Sequence, residues 1–119
     1  MKVKCGKCGI ELTEELESLD DTTLLNETDE QSYVPIGKLF ISDGEYYTGT
    51  EGKIIINCAD LKNAKNHPDI IRLQGCCGLD GLNGNNKVCI NGHEVGTEKS
   101  DCWIAHGVIL EREFVVIEK

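Results

Sequence analysis

The stretch GCCGLDGLNGNNKVC, residues 75 to 89, contains three cysteines and four glycines that recur every third position. An ordinary core strand or helix is not built this way, because glycine in the interior weakens both. The run is too short and too poor in proline for a collagen-like repeat, and it lacks the Gly-x-Gly pair of a dinucleotide-binding loop. It therefore predicts a turn-rich loop whose chemistry depends on its thiols.

The composition predicts a single domain over residues 1–119 with a modest aliphatic core. Apolar residues make up 39% of the chain, and only six residues are aromatic. The first residues contain no apolar run of signal-peptide length, and no stretch has the length of a membrane span. The chain has seven cysteines, an odd number, which argues against a disulfide framework. We therefore expect a soluble, cytoplasmic protein with reduced thiols.

The net charge of −9 is concentrated in one segment. Residues 11 to 33 hold nine acidic residues and no basic residue, while the rest of the chain is neutral overall. Nothing resembles a basic groove, which disfavours binding to nucleic acid or to an anionic membrane. The acidic 11–33 segment either meets a basic protein partner or is a solvated surface.

The strongest single motif is Cys5-Gly-Lys-Cys8, followed by Gly9. Two thiolates at this spacing can bind one Zn²⁺ from a single tight turn, and the glycine lets backbone N–H groups approach the sulfur atoms. The alternative is a thioredoxin-like redox pair, which requires a core strand before the first cysteine. Only four residues precede Cys5, so the motif favours the half-site called a zinc knuckle.

A knuckle supplies two ligands, and a tetrahedral structural zinc needs four. Cys76 and Cys77 are adjacent, so in extended backbone their side chains point in opposite directions. We favour Cys77, because Gly78 after it repeats the Cys-Gly pattern of the knuckle. The predicted site holds one zinc per chain, and its four ligands are Cys5, Cys8, Cys77 and Cys89.

Four further donors remain open as ligands, namely Cys76, Cys102, His93 and His106. His93 competes through the spacing Cys89-x3-His93. The pair Cys102-x3-His106 could join a further ligand around a second metal. Iron is a less favoured occupant, because the chain lacks the clustered spacings of iron–sulfur proteins.

Two segments predict short helices. Leu12, Leu16 and Leu19 recur at i, i+4 and i+7, one face of a helix of two or three turns for which Thr13 is a suitable N-cap. Residues 59–66 form the second candidate, which ends before Pro68 because the residue before a proline avoids the α region.

The remaining patterns predict β structure. Residues 34–42 and 53–57 are rich in β-branched and aromatic residues and are separated by Asp-Gly and Gly turn signals. A hairpin is expected around the Asn91-Gly92 turn, followed by strands within 102–110 and 113–118. Together with the two short helices, these elements predict a small α+β domain, mostly antiparallel, with a zinc-ribbon-like metal site.

The sequence motif GCCGLDGLNGNNKVC…GHEVGTEKSDCW, together with the N-terminal C-x-x-C, resembles the motifs of a family of small bacterial cysteine-rich proteins with no known activity. The resemblance covers roughly residues 68 to 110 and the knuckle. It implies a bacterial origin and no particular function.

Catalytic motifs are absent from the sequence. It contains no H-E-x-x-H, no G-x-S-x-G and no phosphate-binding loop. We therefore expect a non-enzymatic, zinc-stabilised interaction module. The first alternative is a thiol-redox or metal-handling protein that uses Cys5 and Cys8, and a zinc hydrolase is less favoured.

Overall fold

Branched aliphatic residues form the centre of the fold. A computed structural model describes all 119 residues, and almost all of its regular structure is β. The nine strands are β1 (Lys2–Cys5), β2 (Glu17–Ser18), β3 (Lys38–Ile41), β4 (Ile54–Ile56), β5 (Ala64–Asn66), β6 (Lys87–Cys89), β7 (Glu94–Lys99), β8 (Gly107–Leu110) and β9 (Val115–Glu118). Single 3₁₀ turns lie at Thr22–Leu24, Cys58–Asp60 and Ile70–Arg72.

The strands form two sheets. Seven strands pair in the order β2-β3-β4-β8-β7-β6-β5, and every pair is antiparallel except the short parallel contact of β2 with β3. The other two strands, β1 and β9, form an antiparallel ribbon in which Lys2 lies opposite Glu118 and Cys5 opposite Val115. The two ends of the chain are thereby held side by side.

The larger sheet carries a hydrophobic core on each face. Along β4, Ile54 and Ile56 point into the first core and Ile55 points into the second, as the two-residue period of a strand requires. On β8, Leu110 points into the first core and Ile109 points into the second. The first core is completed by residues from the N-terminal segment and β9, including Val3, Cys5, Leu12, Leu16 and Val115. The second is completed largely by aromatic residues, namely Tyr33, Phe40 and Tyr47.

The mostly antiparallel β prediction is confirmed, and the predicted helices of the α+β interpretation are wrong. Strands lie within 34–42, 53–57, 102–110 and 113–118, and the hairpin forms around Asn91-Gly92. The structure contains no α-helix, only the three 3₁₀ turns. Accordingly, no helix is both long and apolar enough to cross a membrane.

The helix predicted over Leu12, Leu16 and Leu19 is replaced by bends over residues 12–14 and the short strand β2. Leu12 and Leu16 pack in the first core, whereas Leu19 packs in the second. The three leucines therefore do not share a face, although all three are buried. Thr13 does not cap a helix; its Oγ1 accepts a hydrogen bond from the backbone N–H of Val3 at 3.0 Å. Backbone hydrogen bonds from this segment to the β1 and β3 regions determine its conformation, although the spacing of the leucines fits a helix.

The helix predicted over residues 59–66 is wrong for a similar reason. A single 3₁₀ turn begins after Asn57, whose side chain accepts a hydrogen bond from the N–H of Ala59. Asn63 then adopts a positive φ of 55°, which ends any helical path, and β5 pairs with β6. Sheet pairing again outweighs local propensity.

We expect Leu12→Ala to lower the free energy of unfolding by about 2–5 kcal/mol, because it opens a cavity in a buried core site. The matched control is Leu24→Ala, where the leucine is 51% exposed and the loss should stay at about 0.5 kcal/mol. Urea unfolding followed by circular dichroism measures both. Equal losses would contradict this assignment of the core.

Candidate metal centres

Two tight hairpin turns present the first group of thiols. β1 ends at Cys5, and the chain reverses so that the N–H of Cys5 donates to the carbonyl of Ile10 at 2.9 Å. In the second turn the N–H of Cys89 donates to the carbonyl of His93 at 2.8 Å. Each turn contains a glycine at positive φ, Gly9 at 77° and Gly92 at 89°, a conformation that residues with a Cβ rarely adopt.

The two turns meet and bring four donors together. The ligand atoms of Cys5, Cys8, Cys89 and His93 all lie within 4.8 Å of one another. Cys8 Sγ is 3.8 Å from Cys89 Sγ, and His93 Nδ1 is 3.3 Å from Cys89 Sγ and 3.7 Å from Cys5 Sγ. The two sulfur atoms are far beyond the ~2.05 Å of a disulfide. This first group can hold a metal ion.

The first group is anchored in the protein and reaches the surface on one side. Cys5 and Cys89 are buried members of the first core, whereas Cys8 is exposed. Burial raises the pKa of Cys5, an effect opposed by backbone N–H groups of Cys8 and Lys7. The side-chain amide of Asn91 donates to Cys8 Sγ at 3.3 Å and, with the N–H of Ile10, lowers the pKa of Cys8 to about 6. The turns thus direct N–H groups at the sulfurs.

A second group contains only thiols. The Sγ atoms of Cys76, Cys77 and Cys102 lie within 4.8 Å of one another, and those of Cys76 and Cys77 are 3.8 Å apart. Cys76 and Cys77 are exposed and Cys102 is partly buried. The neighbouring Cys102 and Cys76 thiols raise the pKa of Cys77 to about 12. This second group can also hold a metal ion.

A buried carboxylate organises the second group. Asp101 is only 2% exposed and accepts hydrogen bonds from the backbone N–H groups of Cys76, Cys77 and Cys102 at 3.0, 2.9 and 2.8 Å. It also accepts from Trp103 Nε1 at 3.1 Å. The N–H of Cys77 is the largest of the causes that hold the pKa of Asp101 well below its usual range. One carboxylate therefore fixes the backbone of all three cysteines.

Glycine allows the loop to approach the segment that carries Cys102. A Cβ at Gly78 would lie 2.2 Å from the carbonyl oxygen of Ser100, a distance that no side chain tolerates. Ser100 donates its own N–H to the carbonyl of Leu79 at 2.8 Å. The glycines of the 75–89 stretch therefore serve close backbone packing as well as turns.

The predicted ligand set is only partly brought together. Cys5, Cys8 and Cys89 meet as expected, but Cys77 does not join them, and its place is taken by His93. The reason is that Asp101 ties the Cys76-Cys77 loop to the 100–103 segment. Cys76 and Cys102 instead join Cys77 in the second group. His106 lines a cavity beside that group, and its Nε2 donates to the carbonyl of Asp101 at 3.0 Å.

Two of the residues that organise the thiol groups are not predicted as such from the sequence. The sequence indicates Asn91 only as a turn residue, although its position beside Gly92 places it close to the ligands. Asp101 has no sequence signal beyond its position before Cys102, because two of its hydrogen-bond partners, Cys77 and Cys76, lie 24 and 25 residues away. Its role depends on the tertiary fold.

We expect Asp101→Asn to loosen the second group. Oδ1 accepts from Cys77 and Cys102 and Oδ2 from Cys76 and Trp103, so an amide would place its NH₂ against N–H donors. Trp103 is the single tryptophan, and its fluorescence should shift, while Cys76 and Cys77 should alkylate faster in metal-free protein. Asp69→Asn, which alters only the cap of a surface 3₁₀ turn, is the control. Unchanged fluorescence and alkylation would contradict the role of Asp101.

The chain matches no known family model, and no curated protein or solved structure is significantly similar to it. The resemblance to small bacterial cysteine-rich proteins therefore stays a prediction. The chemistry of the molecule has to be inferred from its two clusters of possible metal ligands, the first and second groups described above.

Proposed function

We propose that the protein is a small zinc-binding interaction module, in which one Zn²⁺ is held by Cys5, Cys8, Cys89 and His93 and serves a structural purpose. The observation that carries the proposal is the meeting of four soft or borderline donors from two hairpin turns. Two knuckle-like turns that share one ion constitute a zinc-ribbon-like arrangement.

The spacing of the donors supports zinc. With Zn–S near 2.3 Å and Zn–N near 2.0–2.1 Å, the edges of a tetrahedron are about 3.8 Å between two sulfurs and about 3.6 Å between sulfur and nitrogen. Of the six donor separations in the first group, that between Cys8 and Cys89 is 3.8 Å and those from His93 to Cys89 and Cys5 are 3.3 and 3.7 Å, while the other three lie within 4.8 Å. Three cysteines and one histidine form a common set of ligands for structural zinc.

A complete set of four protein ligands favours a structural over a catalytic role. A catalytic zinc keeps one position for water or substrate, whereas the first group offers four donors to a tetrahedral ion. Such a zinc joins the N-terminal turn to a turn more than 80 residues later in the chain. It would add folding free energy to a domain whose cores are small and largely aliphatic.

The zinc hypothesis is tested in a variant that keeps only the first group, with serine at positions 76, 77 and 102. This variant should carry one zinc with three sulfurs and one nitrogen in its X-ray absorption spectrum. Adding Cys8→Ser, which alters an exposed residue, should remove the zinc and lower Tm by on the order of 10 °C or more.

The matched control is Cys58→Ser, since Cys58 belongs to neither group. His93→Cys should retain zinc and change the coordination to four sulfurs. Zinc that persists after Cys8→Ser, or a metal-free protein with an unchanged Tm, would refute the proposal.

A thiol-redox role of Cys5 and Cys8 is the second candidate, and the exposed Cys8 with its pKa lowered to about 6 favours it. The two candidates differ in what protects the thiols. A structural zinc keeps Cys5 and Cys8 from alkylation until a chelator is added. A redox pair would instead form a reversible Cys5–Cys8 disulfide without any metal.

The acidic segment 11–33 is the proposed surface for a basic protein partner. Four of its acids are engaged within the molecule: Glu11 with Lys2 and Lys62, Glu14 with Lys62, Glu15 with the N-terminus and Glu17 with Lys38. Its other five acids, which are Asp20, Asp21, Glu27, Asp29 and Glu30, are exposed and form no ion pair. The proposed contact surface is therefore residues 20–30.

We expect the combined change Asp20→Asn, Glu27→Gln and Asp29→Asn to weaken binding of an oligolysine peptide on the order of tenfold at low salt, because three attractive charges are lost. The matched control removes the same charge from acids already engaged, through Glu14→Gln, Glu15→Gln and Glu17→Gln. Fluorescence anisotropy of a labelled peptide measures both. Equal weakening by the two triples would contradict a contact surface at residues 20–30.

A further inference from the structure

The second thiol group has the donors of a metal site but not the enclosure of the first. Cys76 and Cys77 are exposed and Cys102 is partly buried, whereas Cys5 and Cys89 in the first group are 1% and 0% exposed. Only three donors meet in the second group, and no histidine or carboxylate lies within the same 4.8 Å limit. An ion held there would retain an open coordination position.

That open position has a cavity beside it. Cys77 and Cys102 line a cavity of about 190 Å³ together with Glu30, Ser100 and His106. His106 donates its Nε2 hydrogen to a carbonyl, so in the neutral ring Nδ1 is the acceptor. The cavity has room for water or a small ligand, and three of its five lining residues, Glu30, Ser100 and His106, are polar.

The backbone of the three cysteines is held in place without any ion. Asp101 accepts hydrogen bonds from the backbone N–H groups of all three cysteines. Gly78 lets the loop that carries Cys76 and Cys77 pack against Ser100. Metal sites in general contain hydrogen bonds from neighbouring residues that orient the metal ligands. The carboxylate oxygens of Asp101 accept hydrogen bonds from these N–H groups, so Asp101 is a residue that positions the ligand-bearing backbone.

A structural disulfide is a poor alternative within the adjacent pair. Neighbouring Cα atoms are about 3.8 Å apart, below the roughly 4.4–6.8 Å of an ordinary disulfide. The sulfurs of Cys76 and Cys77 lie 3.8 Å apart, which is close to the separation of two thiolates on one ion.

We infer that Cys76, Cys77 and Cys102 form a second, exchangeable site for one thiophilic ion, Zn²⁺ or Cu(I), with a coordination position open to the adjacent cavity. Both ions suit thiolate ligands. Exchange follows from the exposure, because an incoming chelator or thiol can attack the ion through the open position. The first site, with two buried sulfurs and four donors, should release its ion far more slowly.

The test is metal transfer from the full-length zinc-loaded protein to a chromogenic chelator, followed by stopped flow. Wild type should show two phases of about one ion each, with rates that differ by at least tenfold. Cys102→Ser, and separately Cys76→Ser with Cys77→Ser, should abolish the fast phase and leave the slow phase. Cys58→Ser, the control for a thiol outside both groups, should keep both phases.

The same assay separates this inference from the structural zinc proposal. Cys8→Ser should remove the slow phase and leave the fast phase, so failure of the first site does not imply failure of the second. A single slow phase in wild type, or a fast phase that survives Cys102→Ser, overturns the inference. A Cys77–Cys102 disulfide in protein purified without oxygen overturns it as well.

Two further measurements identify the ion and the open position. Anaerobic competition with a Cu(I) chelator shows whether the three cysteines hold Cu(I) more tightly than Zn²⁺. With Co²⁺ in the Cys8→Ser protein, added 2-mercaptoethanol should shift the ligand-field bands, because it enters the open position. Bands that do not respond to the thiol would overturn the open position.

Discussion

The pairing of β4 with β8 is the contact on which the rest of the structure depends. It joins residues 54–56 to residues 108–110 at the centre of the seven-stranded sheet. All three residues of β4 and all four of β8 are buried, so both strands separate two cores instead of facing solvent on one side. Alternation along the two strands supplies each core with its first aliphatic layer. The first group joins one of these cores directly, because Cys5 and Cys89 belong to the first core.

The parts of the fold that sequence could predict are those in which local pattern and tertiary pairing agree. Ile54 to Ile56 form a run of β-branched residues and become a central strand, and the Asn91-Gly92 pair becomes a hairpin turn. The leucines at 12, 16 and 19 show where agreement fails. Their spacing fits a helix, but Leu19 is needed in the opposite core from Leu12 and Leu16. Only the folded sheet makes that division visible.

The candidate site was predictable to the extent that its ligands are close in sequence. Cys5 and Cys8 share one turn, so their spacing alone indicates a knuckle. Cys89 and His93 are also a local pair: they face each other across the hairpin, and residues opposite in an antiparallel pair project from the same face. That argument favours His93 as the partner of Cys89 and was available from the turn alone. The separation of Cys77 from this site was not available, because it depends on Asp101 and its contacts across 24 residues.

The first and second groups differ in how their cysteines are held in place, and this difference is the basis of the different metal chemistry that we propose for them. In the first group two of the three sulfurs, those of Cys5 and Cys89, are part of the core, so moving them away from the site would disturb a packed interior. In the second group only the backbone is fixed, through N–H groups that converge on Asp101, while two of the three sulfurs remain exposed. A fixed backbone keeps the ligands together without enclosing the ion. On our two proposals, cysteine would favour retention of an ion where burial positions the sulfur, and exchange where a buried carboxylate positions only the peptide backbone.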